Sequence, residues 1–165
     1  MFNIGEFVVC NNGGVCQVED IKTINMDGVS KERLYYVLSP LTHEKNRVFI
    51  PYDNPKAIIR KVMSKEDAAN LIEKMPEIDE LVVDNQKFSE KKYKEILRSS
   101  NGSELFGMIK MLSNQKKQRL HDKRSLVSVD EKYLKIAKER LCFELALALG
   151  ISKEEVEKTV VSRFH

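Results

Sequence analysis

The sequence is poor in the residues that build disulfide and metal sites. It has only three cysteines, an odd number and a poor disulfide framework. The three histidines (His43, His121 and His165) are scattered, with no spacing typical of zinc ligands. Signatures of catalysis are missing too, because no glycine-rich phosphate loop and no Ser/His/Asp or Cys/His nucleophile pattern occurs. We therefore expect no metal site and no enzyme activity.

Long apolar runs are also absent. No run approaches the roughly 18 residues that a membrane helix needs. The opening MFNIGEFVVC has no basic region followed by a long apolar stretch, as a signal peptide would. We therefore expect a cytoplasmic protein without a membrane partner, in a compartment where thiols stay reduced.

The segment VVCNNGGVCQV at residues 8–18 places Cys10 and Cys16 on either side of four Asn and Gly residues. One alternative is a redox or zinc enzyme site, although this spacing lacks the C-x-x-C geometry that tunes a thiol. The other is a β-hairpin, because the flanks are rich in β-branched residues and Asn-Gly supplies the positive φ of a tight turn. We favour the hairpin, with both cysteines as small apolar strand residues. Metal content or Cys→Ser variants would reveal the first alternative.

Strand-like segments recur through the first 62 residues, with turn signals between them. They lie at residues 6–10, 15–24, 33–40, 46–51 and 56–62. Five short strands at this spacing are typical of a small barrel. We predict an SH3/Tudor-like β-barrel over residues 1–62, whose short edges can accept a strand from a partner.

Helical periodicity replaces the strand pattern after residue 62. Ser64 and Asp67 resemble a capping box, and Pro76 ends the helix that they start. Residues 63–86 are interpreted as a connecting helix and an acidic linker. Further helical patterns occupy 87–98, the stretch from 103, the stretch from near Asp130 up to Gly150, and the stretch after Ser152. We therefore predict an α+β two-domain protein with an all-α helical bundle at residues 87–165.

Positive charge is concentrated in one block of the helical half. The whole chain has a net charge of +3, whereas residues 87–124 contain 11 Lys and Arg residues against 4 acidic ones. Lys87, Lys91, Lys94 and Arg98 share one face of a helix. Such a row is either an ordinary solvent-exposed face or a surface that binds nucleic-acid phosphates. Phosphate binding would weaken as the salt concentration rises and would not depend on the base sequence.

Several segments occur in a characteristic order: FNIGEFVVCNNGGVCQVEDI, YYVLSP, RVFIPYDN, YKEIL and DEKYLKIAKERLCFELALALG. In this order they resemble the CarD/CdnL family of bacterial transcription regulators, over nearly the whole chain. The resemblance implies an N-terminal domain shared with transcription-repair coupling factor, which pairs a strand with the β-subunit lobe of RNA polymerase. It also implies a helical half that contacts promoter DNA at the upstream edge of the melted region. Together the two halves would stabilise the open complex without a cofactor.

The resemblance assigns the polymerase-binding strand to Arg47, Val48, Phe49, Ile50 and Pro51. Relatives often carry a basic residue two positions before the proline, where this chain has Phe49. Arg47 lies two residues further back and points to the same side of the strand. We expect Arg47 to supply the charge and Phe49 an apolar contact. The alternative is that Phe49 belongs to the barrel core, because strand alternation does not say which side is buried.

Many relatives also carry a tryptophan just before the basic helix, which wedges at the minor groove at the edge of the bubble, and this chain has none. The matching position is near Val82, which can still act as an apolar wedge. Phe88 is the nearest aromatic residue, and we expect it to pack inside the bundle. The basic positions that match the family are Lys91, Lys92, Lys94 and Lys132.

We predict a monomeric transcription regulator that binds the RNA polymerase β subunit and the backbone of promoter DNA, and associates with the nucleoid through the polymerase. The alternative is a protein-interaction adaptor on RNA polymerase with little or no DNA contact. Salt-dependent DNA binding by the helical half distinguishes the two.

Overall fold

The computed structural model describes residues 1–11, 14–28, 31–53 and 59–164. The chain divides into two compact units, Met1–Val62 and Met63–His165. The first holds the strands and the second the helices, so the predicted α+β arrangement is confirmed. The SH3/Tudor-like closure of the sheet and the bundle arrangement of the helices stay predictions.

The N-terminal unit is built on a five-stranded antiparallel sheet in the order β4-β3-β2-β1-β5. The strands are β1 (Phe7–Cys10), β2 (Gly14–Thr23), β3 (Leu34–Pro40), β4 (Val48–Pro51) and β5 (Ile59–Lys61). This order leaves β4 and β5 at the two edges of the sheet. The predicted strand at 56–62 is observed from Ile59, since residues 56–58 lie outside the described ranges.

The β1–β2 hairpin directs both of its cysteines into the sheet core. Val8 pairs with Cys16 and Cys10 with Gly14, so these positions share one face. The predicted turn includes residues 12–13, which lie outside the described part of the chain, whereas Gly14 opens β2 with a φ of 70°. The buried core cluster on this face contains Val8, Cys10, Cys16, Val18, Tyr36, Leu38, Ile50 and Ile59.

The C-terminal unit contains helices whose starts and ends carry clear local signals. They are α1 (Lys65–Lys74), α2 (Ser89–Ser99), α3 (Gly102–His121), α4 (Ser128–Leu149) and α5 (Lys153–Ser162), with short 3-10 turns at Met75–Glu77 and Gln86–Phe88. Ser64 caps α1 by accepting from the Asp67 N–H at 3.0 Å. Gly150 ends α4 with a φ of 68°. No helix within the described residues is long and apolar enough to cross a membrane.

The core of this unit lies mainly between α3 and α4. Apolar residues three and four apart form a buried stripe on each helix. The stripes contain Leu105, Phe106, Met108, Ile109 and Leu112 on α3, and Leu134, Ala137, Leu141 and Leu145 on α4. They bury apolar area that stabilises the unit at about 25 cal/mol per Å² removed from water.

The connection between the two 3-10 turns lies against α3, and we call its residues 78–85 the strap. Its Leu81 N–H donates to the Gly107 carbonyl at 3.1 Å. Lys110 Nζ donates to the Ile78 carbonyl at 2.9 Å. Ile78, Leu81 and Val83 pack against the helical core. The acidic segment interpreted as a linker is therefore held on the helical unit.

Candidate functional site

The outer edge of β4 presents backbone groups that β3 does not use. The Tyr52 N–H donates to the Leu34 carbonyl at 2.9 Å, just beyond the paired strands. Hydrogen-bonded and non-hydrogen-bonded pairs alternate along an antiparallel ladder. The Val37–Phe49 pair is therefore non-hydrogen-bonded, and the N–H and C=O of Phe49 point away from β3. An added strand would find this donor and acceptor at the edge.

The side chains of β4 alternate between the core and the outer side of the sheet. Ile50 is 2% exposed and belongs to the sheet core, whereas Phe49 is 41% exposed. The alternative that Phe49 is barrel core is therefore wrong. Pro51 has no N–H, and at this position it removes no bond to β3 because the Tyr35–Pro51 pair is also non-hydrogen-bonded.

Arg47 lies directly before β4 and is already engaged within the sheet unit. Its Nη2 donates to Glu19 Oε1 at 3.0 Å, and its Nη1 donates to the Asn46 carbonyl at 2.9 Å. Nη1 also contacts the Glu44 carbonyl. An exposed pair of this kind contributes about 0–1 kcal/mol to stability. A partner carboxylate would therefore compete with Glu19 for Arg47 at small cost.

The basic row on α2 faces solvent, opposite the buried side of the helix. Tyr93, Ile96 and Leu97 form the buried side. The row, with its first member in the preceding 3-10 turn, consists of the exposed residues Lys87, Lys91, Lys94 and Arg98. Within the row, Lys94 Nζ lies 3.6 Å from Glu90 Oε1. Such exposed pairs are weak and screened by salt, so the row keeps its positive character.

Two tyrosines join the start of α4 to α2, and Lys132 lies next to them. The rings of Tyr93 and Tyr133 are 5.4 Å apart, and the Tyr133 hydroxyl donates to Glu90 Oε1 at 3.0 Å. The exposed Lys132 has its Nζ 5.5 Å from the Tyr133 ring. Lys132 is thus an exposed cation at the contact between α2 and α4.

A hydrogen bond from Tyr93 on α2 to Asp130 on α4 also joins the two helices. The hydroxyl donates to Asp130 Oδ1 at 3.0 Å, with both residues buried. Burial, followed by the nearby carboxylate, raises the pKa of Tyr93 far above its usual value. Burial and Glu90 raise the pKa of Tyr133 as well. Both phenols are therefore neutral donors that hold the N-terminal halves of α2 and α4 together.

A groove of about 410 Å³ lies between the strap and α2. It is lined by Val82, Val83, Asp84, Asn85, Phe88, Lys91, Lys92 and Glu95. Val82 is 75% exposed and Phe88 is 59% exposed. The expectation that Phe88 packs inside the bundle is wrong, because Phe88 lies in the 3-10 turn before α2 and lines this groove. Two exposed apolar side chains thus lie beside Lys91 and Lys92.

All three cysteine side chains are buried. Cys10 and Cys16 are each 0% exposed, and none of the three cysteines forms a disulfide. Burial raises the pKa of the Cys142 thiol to about 11. Over the residues that the structure describes, no group of three or more His, Cys, Asp or Glu side chains is placed to hold a metal ion.

Residues 2–63 match the family model of the CarD-like/TRCF RID domain. Among curated proteins, no significant match to the chain is found. The matched range coincides closely with the sheet unit, and the helical unit lies beyond it. The N-terminal unit is therefore a CarD-like/TRCF RID domain, which implies an interaction with RNA polymerase.

Proposed function

We propose that this protein is a transcription regulator that binds the β-subunit lobe of RNA polymerase through its RID domain and contacts promoter DNA through its helical unit. The match of residues 2–63 to the RID domain carries the proposal. The DNA contact lies near the upstream edge of the melted region and stabilises the open complex.

Strand addition to β4 is the proposed mode of polymerase binding. The N–H and C=O of Phe49, which point away from β3, support it, because backbone pairing at a sheet edge supplies affinity without a deep pocket. The exposed Phe49 ring and the Arg47 guanidinium lie on the same side of the strand and add side-chain contacts. In this proposal the sheet closes as a small SH3/Tudor-like barrel and the helices form a bundle.

The basic surface of the helical unit is the proposed contact to DNA. Phosphate contacts by Lys87, Lys91, Lys94 and Arg98, together with Lys92 and Lys132, supply affinity without reading bases. Val82 and Phe88 supply an apolar wedge at a base step, as apolar side chains do in minor-groove binders. No base-reading helix is required, because the polymerase has already located the promoter.

The same proposal makes the protein a monomer that acts without a cofactor or catalysis. It is cytoplasmic, and the polymerase holds it at the nucleoid. An adaptor function without DNA contact is the competing outcome of the test below.

The test uses the full chain and purified bacterial RNA polymerase. Binding to the polymerase and to its isolated β lobe is measured by titration, and the lifetime of promoter open complexes is measured after a competitor challenge. We expect saturable binding to both and a longer lifetime in the presence of the protein. Binding without any change in lifetime would favour the adaptor, and absence of binding would overturn the proposal.

A further inference from the structure

A second basic surface lies at the C-terminal end of α3, outside the row on α2 and outside the groove. A cleft of about 250 Å³ opens there against the first residue of the 3-10 turn that precedes α2. Polar and charged side chains line it: Gln86, Gln115, Gln118, Arg119, Asp122 and Arg124.

The two arginines of this cleft are available to a ligand. Within the described ranges, neither guanidinium has an ion pair or a side-chain hydrogen bond, whereas Lys116 pairs with Glu131 at 3.0 Å. Asp122 is the one acidic residue of the lining. Guanidinium groups bind phosphate oxygens with two parallel N–H donors. The glutamine amides add neutral donors that suit the same oxygens.

The carbonyl groups at the C-terminal end of a helix repel an anion. At the end of α3, backbone N–H groups already donate to three of the last four of these carbonyls. The Asp122 N–H donates to the Gln118 carbonyl at 3.1 Å. The Lys123 and Arg124 N–H groups donate to the Leu120 and Arg119 carbonyls. The chain achieves this turn with Lys123 at a positive φ of 58°. Two arginines against one aspartate leave the lining of the cleft with a net positive charge.

We propose that this cleft is a second binding site for the phosphate backbone of duplex DNA, with Arg119 and Arg124 as its cations. The inference rests on the proposed DNA contact and extends it. Gln86 lines the cleft and its neighbour Lys87 begins the basic row, so the two surfaces meet at the 3-10 turn. If phosphates bind at both places, the protein holds the duplex across that turn, which ends at Phe88.

The experiment compares two double variants of the full chain that lose the same charge. Arg119→Gln with Arg124→Gln removes both cations of the cleft. Lys117→Gln with Lys123→Gln removes two exposed cations from the same helix end that do not line it. Affinity for a labelled duplex of arbitrary sequence is measured by fluorescence anisotropy over a series of salt concentrations, and thermal unfolding verifies that each variant is folded.

We expect the cleft variant to make the slope of log K against log salt less negative by about 2, since each phosphate contact contributes about −0.9. The lysine control should change the slope by well under half of that. Equal slopes for the wild type and the cleft variant would overturn the proposal that the cleft binds phosphates, while leaving the proposed DNA contact by the α2 row intact. If the wild-type chain does not bind the duplex at low salt, both the cleft and the proposed DNA contact fail. The same titration is made with an RNA duplex. If the cleft variant loses affinity for the RNA duplex but not for the DNA duplex, the assignment to DNA is overturned.

Discussion

The backbone N–H of Leu81 donates a hydrogen bond to the carbonyl oxygen of Gly107, 3.1 Å away, in the interior of α3. A Cβ at Gly107 would lie 2.9 Å from the Asp79 carbonyl oxygen. Glycine inside a helix costs about 1 kcal/mol relative to alanine. The close approach of the strap explains why glycine stands there, and the strap in turn determines where Val82 projects.

Replacing Gly107 by alanine should therefore destabilise the helical unit. The clash with the strap backbone costs about 1–3 kcal/mol, which exceeds the gain in helix propensity of about 1 kcal/mol. Gly102→Ala is the matched control, because its Cβ would meet the mobile end of the Leu71 side chain rather than backbone. Urea unfolding of both variants measures the difference. A Gly107→Ala variant more stable than the wild type would contradict the packing of the strap.

Two substitutions of Phe49 distinguish strand pairing from side-chain contact in polymerase binding. Phe49→Pro removes the N–H that faces the open edge but no bond to β3, because the Val37–Phe49 pair is non-hydrogen-bonded. Phe49→Ala removes only the ring. If β4 pairs with a partner strand, proline should weaken polymerase binding at least tenfold more than alanine does. Biolayer interferometry with immobilised β lobe measures both, and equal effects would indicate that only the ring is recognised.

Local signals in the sequence predicted the helix ends and the strands well, because caps and turns depend on neighbouring residues. Ser64, Ser152 and Gly150 all act as the sequence indicates. The expectation that Phe88 lies within the basic helix and packs in the bundle is wrong. Its spacing to Lys92 and Glu95 (i, i+4, i+7) indicates a face opposite Tyr93 and Leu97, so helical phase predicts its exposure.

Long-range contacts could not be predicted in this way. Arg47 pairs with Glu19 across β3, and the register of β2 shifts between Val18 and Asp20, where Glu19 lies. The strap contacts Gly107 through backbone groups, which carry no sequence signature. Both contacts depend on the packing of elements that are far apart in the chain.

Charge reversal on α2 should reduce the effect on the open complex. Lys91→Glu with Lys94→Glu places two carboxylates where the proposal puts phosphates, and repulsion should shorten the lifetime of the complex at low salt. Lys65→Glu with Lys158→Glu makes the same change in net charge at exposed positions of α1 and α5. Open-complex lifetime is measured with each variant at the same polymerase occupancy. Identical lifetimes for both double variants would exclude the row as the phosphate contact.

The thiols should be inert in the folded protein. Cys10 and Cys16 are fully buried, and the raised pKa of Cys142, about 11, keeps that thiol protonated near neutral pH. We expect slow reaction of the native protein with a disulfide reagent and rapid reaction of all three thiols in urea. Cys10→Ser with Cys16→Ser should retain polymerase binding. Rapid labelling of two native thiols, or zinc that copurifies with the protein, would restore the redox or zinc alternative.

The stability of the protein should fall at high pH through Tyr93. Its pKa in the folded state is raised above the ordinary value by burial and by Asp130, so the folded state holds a proton that the unfolded state releases. The resulting stabilisation is complete below about pH 10 and decreases as the pH rises above that value.

Tyr93→Phe should cost about 1–3 kcal/mol near neutral pH, because the buried Asp130 loses its donor. The same variant should lose less further stability than the wild type between about pH 8 and about pH 11, because the shifted phenol is gone. Tyr133→Phe is the control, since its acceptor Glu90 is exposed and can bind water instead, so the cost near neutral pH should be smaller. Urea unfolding followed by circular dichroism at both pH values measures these differences. Equal losses of stability for the wild type and Tyr93→Phe over that range would show that the Tyr93 proton does not contribute.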